Sequence, residues 1–121
     1  MRLHIGLCLL SIACLIFPPR AWADNHPPTG AALDAEYDAA VAFVKQRDYD
    51  AAYETFLRLS SFEQYDAQYN LATLLRAGLG HPQSFQEALY WAWLSHLGGV
   101  TKATALADEM VDLLPENALD P

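Results

Sequence analysis

Residues 67–98 read AQYNLATLLRAGLGHPQSFQEALYWAWLSHLG, two apolar runs at helical spacing around a loop that holds Gly78, Gly80 and Pro82. Ala67, Leu71, Ala72 and Leu75 mark the first run, and Ala88, Leu89 and Trp91 the second. The stretch therefore reads helix, glycine loop, helix. A shift of 36 residues places Asp48, Tyr49, Ala52 and Phe56 on Ser84, Phe85, Ala88 and Ala92, and Ala67 on Ala103. A period of this length implies a stack of helical pairs, because one pair cannot bury its own apolar face. The function to look for is binding along the groove of such a stack.

Working outward, caps and apolar spacing place five helices. The first is expected from about Asp34 to Gln46, with Tyr37, Val41 and Val44 at helical spacing. The second is expected over about residues 49–59 behind Asp48 as its cap. Ser61 and Gln64 have the spacing of a capping box for the third, which should end at Gly78 in a left-handed turn. Ser84 and Glu87 form a second such box for the fourth, which stops at Gly98-Gly99. The fifth is expected over about residues 102–114, where Pro115 blocks its extension. Strand patterns are missing and β-branched residues are few, so the expected class is all-α: a short α-α solenoid of about two and a half antiparallel helix pairs. Tyr69, Phe85, Tyr90, Trp91, Trp93 and Phe56 are available to fill its seams. Trp91 and Phe56 read as core, while Trp93, two positions from Trp91, belongs at an edge or interface.

The start of the chain bears on compartment. Arg2 precedes an apolar stretch from Ile5 to Phe17, shorter than the roughly 20 residues that span a bilayer, and Ala21-Trp22-Ala23 is a small-x-small cleavage pattern. Residues 1–23 read as a secretory signal peptide cut after Ala23, residues 24–33 as a flexible lead, and residues 34–121 as one repeat domain. An uncleaved anchor, or a lipoprotein signal that places lipid on Cys14, are the alternatives. Cleavage at Ala23 removes both cysteines, Cys8 and Cys14, and leaves five basic against fifteen acidic residues. That charge argues against nucleic acid and anionic lipid as partners, which need a basic footprint, and permits a basic protein. Stable membrane insertion after cleavage is not expected.

The residues that carry the period resemble a Sel-one-like repeat, a relative of the tetratricopeptide repeat. Ala67, Tyr69, Asn70, Leu71, Ala72 and Leu75, then Gly78, Gly80, Pro82 and Gln83, then Ala88, Leu89, Trp91 and Gly98 make one nearly full unit. The unit before it, with Asp48, Tyr49, Asp50, Ala52 and Phe56, is closer to a tetratricopeptide. The unit after it is a first helix alone, with Asp108 where a small residue is expected. The resemblance implies a non-enzymatic adaptor or scaffold that binds a protein or peptide on the concave surface lined by the first helices. The family pattern puts Asp66, Tyr69, Asn70, Thr73 and Arg76 on that surface in the middle unit, and Tyr37, Asp38, Val41, Val44 and Lys45 in the first. Related domains use an asparagine at the position of Asn70 to hold a bound main chain or terminal carboxylate, which an amide suits because it donates and accepts. The other reading of Asn70 is a bond to a neighbouring helix or to its own loop. Arg76 and Lys45 are the cations nearest this surface, and Tyr37 and Tyr69 offer area to apolar anchors.

Chemistry-bearing patterns are thin. Ser60, Ser61, Ser84 and Ser95 all lack a lysine three residues on, so a penicillin-binding or β-lactamase-like envelope enzyme, the competing class, is without its Ser-x-x-Lys turn. Secreted repeat proteins resembling such enzymes are also cysteine-rich, which this chain is not. His26, His81 and His96 lack the spacing of a tetrahedral metal site, and Gly78-Leu79-Gly80 reads as a turn rather than a phosphate loop. Asp48 with Asp50, and Asp108, Glu109 and Asp112, read as solvated charge. No cofactor or metal is expected. A third reading is a structural subunit whose exposed end faces are covered by self-association or docking into an envelope complex. The expected location is the bacterial periplasm, with secretion outward or a lipid anchor as the alternatives.

Overall fold

The computed structural model describes residues 27–118. The signal segment, its cleavage at Ala23, the alternative lipidation at Cys14, and His26 lie outside the described residues. Five helices follow one another: α1 Gly30–Lys45, α2 Tyr49–Ser60, α3 Tyr65–Ala77, α4 Phe85–Leu97 and α5 Lys102–Leu113, then a short 3-10 turn Glu116–Ala118. No strand occurs among the described residues. Each helix packs on the next in the chain, and α3 also meets α5 directly. Among the described residues no helix is long and apolar enough to cross a membrane.

Local chemistry sets the boundaries. Helix α1 begins at Gly30, four residues before the expected Asp34, because the Thr29 hydroxyl accepts from the Ala32 N–H at 3.2 Å. Residues 30–33, read from sequence as the end of the lead, are the first turn of this helix. Asp48 caps α2 through the Ala51 N–H at 3.3 Å as expected, and Ser84 caps α4 through the Glu87 N–H at 3.2 Å, but the return half of the expected Ser84 and Glu87 box is not formed because the Ser84 N–H bonds the Leu75 carbonyl at 3.1 Å. The expected capping box at Ser61 and Gln64 is not formed. Ser61 closes α2 instead, its hydroxyl donating back to the Arg58 carbonyl at 2.6 Å, and Gln64 precedes α3 without a side-chain cap bond.

The first four helices end in one shared way. Backbone N–H groups of Asp48, Gln64, Leu79 and Val100 bond the carbonyls five residues back, on Phe43, Leu59, Leu74 and Ser95. This closure needs a left-handed residue just before the donor. Gly78 and Gly99 supply it at φ 69° and 98°, but Arg47 and Glu63 also adopt it, at φ 61° and 58°. Gly80 answers a different need: a Cβ there would strike the Tyr49 carbonyl at the start of α2. The glycine loop is thus docked on the start of α2.

The core runs through all five helices. Phe56, Leu59, Leu71, Leu75 and Met110 are fully buried, and between them Ala40, Ala52, Ala67, Ala72, Ala88, Ala92 and Ala103 are sealed from solvent. Alanines at facing positions let helix axes come close, and burying each large side chain contributes about 1.5–3 kcal/mol. Positions 36 apart share surroundings: Ala52 with Ala88, Phe56 with Ala92 and Ala67 with Ala103 are all buried, and Asp48 and Ser84 both cap. Trp91 is half-buried against this core, as are Tyr69 and Phe85. Trp93 is exposed, in line with its expected edge position. Tyr90, expected to fill a seam, is 58% exposed instead, at the rim where α4 faces the end of α2 and the start of α3.

Candidate functional site

Helix α3 carries Asp66, Tyr69, Asn70, Thr73 and Arg76 at positions that fall on one side of a 3.6-residue helix. Helices α1 and α5 both reach this side. From α1, the Tyr37 hydroxyl accepts from Asn70 Nδ2 at 2.8 Å, and the Tyr37 ring meets Phe56 of α2 edge-on at 5.8 Å. From α5, Lys102 sets its ammonium 4.3 Å from the centre of the Tyr69 ring and 3.9 Å from Asp66. At the other end of α3, Arg76 Nη1 donates to Glu109 of α5 at 2.7 Å. The Thr73 hydroxyl between them bonds the Tyr69 carbonyl of its own helix at 3.0 Å.

The structure therefore brings Tyr37, Asp66, Tyr69, Asn70, Thr73 and Arg76 together on one three-helix face. The remaining residues of the α1 set divide. Val41 and Val44 pack against the core, while Asp38 and Lys45 are exposed. Sequence reasoning missed Lys102 and Glu109, which complete the face. The 36-residue shift held the signal, since it carries Asp66 onto Lys102 and Thr73 onto Glu109.

The electrostatics of the face are those of exchangeable pairs. Arg76 and Glu109 keep 39% and 45% of their side-chain surface in solvent, where an ion pair contributes about 0–1 kcal/mol. A ligand that offers a carboxylate to Arg76 or a cation to Glu109 would displace a bond of little net value. Asn70 spends one N–H on Tyr37, which leaves its other N–H and its carbonyl oxygen for a further partner. Burial raises the pKa of Tyr37 above 10.0; its bond with Asn70 works the other way, and Asp66 and Asp38 add to the rise. At neutral pH the phenol is protonated and serves as the acceptor that holds Asn70.

Histidine and serine positions are engaged elsewhere. His81 stacks on Tyr53 with ring centres 4.8 Å apart, and His96, at the far end of α4, pairs with the Thr104 hydroxyl at 2.8 Å. Ser95 donates to the Tyr65 carbonyl and Ser60 to the Phe56 carbonyl, both at 2.7 Å. Among the described residues no group of three or more histidine, cysteine or carboxylate side chains has the spacing to hold a metal ion.

On the opposite side of α3 from Asn70, a second feature has no counterpart in the sequence reading. A cavity of about 410 Å³ opens where the end of α2, the start of α3 and the end of α4 meet, with Gln68, Tyr65 and Trp91 among its walls.

No protein-family model matches the chain, and no curated protein or solved structure shows significant similarity to it.

Proposed function

We propose that this chain is an exported, non-enzymatic protein-interaction module, a short α-solenoid of the Sel-one-like and tetratricopeptide type that binds a peptide or protein segment across α1, α3 and α5. In this reading those three helices are the first members of successive pairs, and their shared face is the concave one. The observation that carries the reading is the row of cross-helix polar links on that face, Tyr37 to Asn70, Lys102 to Asp66, and Arg76 to Glu109. These links gather donors, acceptors and aromatic area on one partly exposed face, which suits an extended backbone with mixed side chains. The signal pattern over residues 1–23 supports the export part of this reading, with the periplasm as the proposed compartment. The excess of acidic residues favours a partner with basic character.

A structural-subunit reading draws on a separate observation. Tyr90, Trp93 and Leu97 form an exposed apolar stripe on α4, with exposures of 58%, 44% and 76%. Fluorescence-detected sedimentation of the labelled protein separates the two. An adaptor sediments as a monomer at all concentrations in buffer and as a faster species in an extract of the producing cells. Faster sedimentation in buffer as concentration rises would favour self-assembly, and a monomer in both media would overturn the adaptor reading.

A further inference from the structure

The cavity at the meeting of α2, α3 and α4 has three aromatic walls, each set by its own neighbours. The rings of Tyr90 and Trp91 stand at 75° with centres 5.0 Å apart, so they form two sides of a corner. Tyr65 supplies the third ring, which lies directly against Gly98 at the end of α4, where a Cβ would strike it. The backbone at Gly98, with φ of −77°, suits any residue, so the missing side chain serves to seat this ring. The Ser95 hydroxyl also donates to the Tyr65 carbonyl at 2.7 Å, which ties the start of α3 to α4.

The field around these rings is mainly negative. Glu63 is the one charged residue of the lining, and it pairs with no cation among the described residues. The carboxyl ends of α2 and α4, at Ser60 and Leu97, both reach the cavity against the single amino end of α3, and helix carboxyl ends carry negative partial charge. The Ser60 and Ser61 hydroxyls give their protons to the main-chain carbonyls of Phe56 and Arg58, at 2.7 and 2.6 Å, and have none left for an anion. A cation rich in N–H groups would need several acceptors in exchange for its hydration and would meet one carboxylate. A quaternary ammonium carries no N–H and spreads its charge over methyl groups, so ring faces and a negative field are enough to hold it. The volume of about 410 Å³ falls within the range of roughly 300–1,000 Å³ typical of ligand pockets.

We infer that this cavity binds a trimethylammonium group, the cation shared by free choline-type solutes and the phosphatidylcholine headgroup. The site lies on the opposite side of α3 from the proposed groove and uses none of its residues.

The test is a titration of the isotope-labelled protein with choline, read at the Trp91 indole and the Gly98 amide. The expected result is saturable shifts at both, with a Kd in the millimolar range or below. The neutral isostere of choline, in which a tert-butyl group replaces the trimethylammonium, should bind at least about fivefold more weakly. Tyr90→Ala, at a largely exposed position that folding tolerates, should weaken binding about three- to fivefold, while Tyr90→Phe, which keeps the ring face, should leave it unchanged. Glu63→Gln, in an exposed turn, should weaken it by a similar factor and remove most of its salt dependence. Flotation with vesicles identifies the source: retention on phosphatidylcholine, with none on a mixture of phosphatidylethanolamine and phosphatidylglycerol, assigns the lipid headgroup, and choline binding without retention assigns a free solute. Absence of saturable shifts at those resonances, equal affinity for choline and its neutral isostere, tighter binding of ethanolamine than of choline, or unchanged affinity in Tyr90→Ala and Glu63→Gln would overturn the assignment. Failure here with a positive groove result would leave the groove reading standing.

Discussion

Asn70 has two uses in prospect, and a double-mutant cycle with Tyr37 measures the structural one. Their hydrogen bond of 2.8 Å joins α1 to α3 at a half-buried position. A bond of this kind contributes about 0.5–1.5 kcal/mol net, less than its gross strength because water competes for both groups when the protein unfolds. Tyr37→Phe removes the acceptor and keeps the ring against Phe56, so it should cost about 1 kcal/mol. Asn70→Ala should cost about 1–2 kcal/mol, since it strips the donor and the side-chain packing. The double variant should cost less than the sum, with a coupling of about 1 kcal/mol, because the second change removes a bond already lost. In a domain of this size 1 kcal/mol moves Tm by about 4–8 °C, which urea and thermal unfolding followed by circular dichroism resolve. A coupling below about 0.3 kcal/mol, within the scatter of independent sites, would refute the idea that the pair ties α1 to α3.

Three further outcomes are expected. Tyr37 and Tyr53 both have raised pKa values, each chiefly through burial, with Glu87 and Glu54 adding to the shift at Tyr53. A folded-state value above the unfolded 10.0 means that the stability these groups contribute is complete below pH 10 and is lost as pH rises through the folded values. Unfolding should therefore become easier in that alkaline window, and Tyr37→Phe should flatten the dependence; an unchanged profile would contradict burial as the cause. Gly80→Ala should destabilise by about 2–4 kcal/mol, combining a left-handed backbone at φ 71° with a clash against the Tyr49 carbonyl, and a near-neutral result by urea unfolding would show that the loop is not docked on α2. Arg47→Gly should stabilise by about 0.5–1 kcal/mol, because Arg47 is exposed and its φ of 61° suits glycine, and destabilisation would mean that the arginine side chain contributes to the fold.

The helical class was legible because alanine and leucine recur at helical spacing and glycine and proline punctuate the chain at Gly78, Gly98 and Pro115. The caps at Asp48 and Ser84 could be read because each is an acceptor side chain directly ahead of an apolar period. The box at Ser61 misled because the same residue type also bonds backward to a helix carbonyl, and only the path of the chain decides between the two. The left-handed turns at Arg47 and Glu63 were illegible, since neither residue type advertises such a conformation. Within the candidate site, the middle-helix positions and Tyr37 came from the repeat resemblance, but the bond of Tyr37 to Asn70 and the partners Lys102 and Glu109 depend on how far one helix slides along the next. The wall of the second cavity is drawn from three helices, and Gln68 in sequence reads as one more polar helix residue.

The face of α1, α3 and α5 as the place of binding is tested most directly in intact cells, with a photo-crosslinking residue placed at Thr73 and a matched one at exposed Glu54 on α2. A discrete adduct from Thr73 and none from Glu54 is the predicted result, and mass spectrometry of that adduct identifies the partner. No adduct from Thr73 in folded, exported protein, or equal adducts from both positions, would contradict binding on this face.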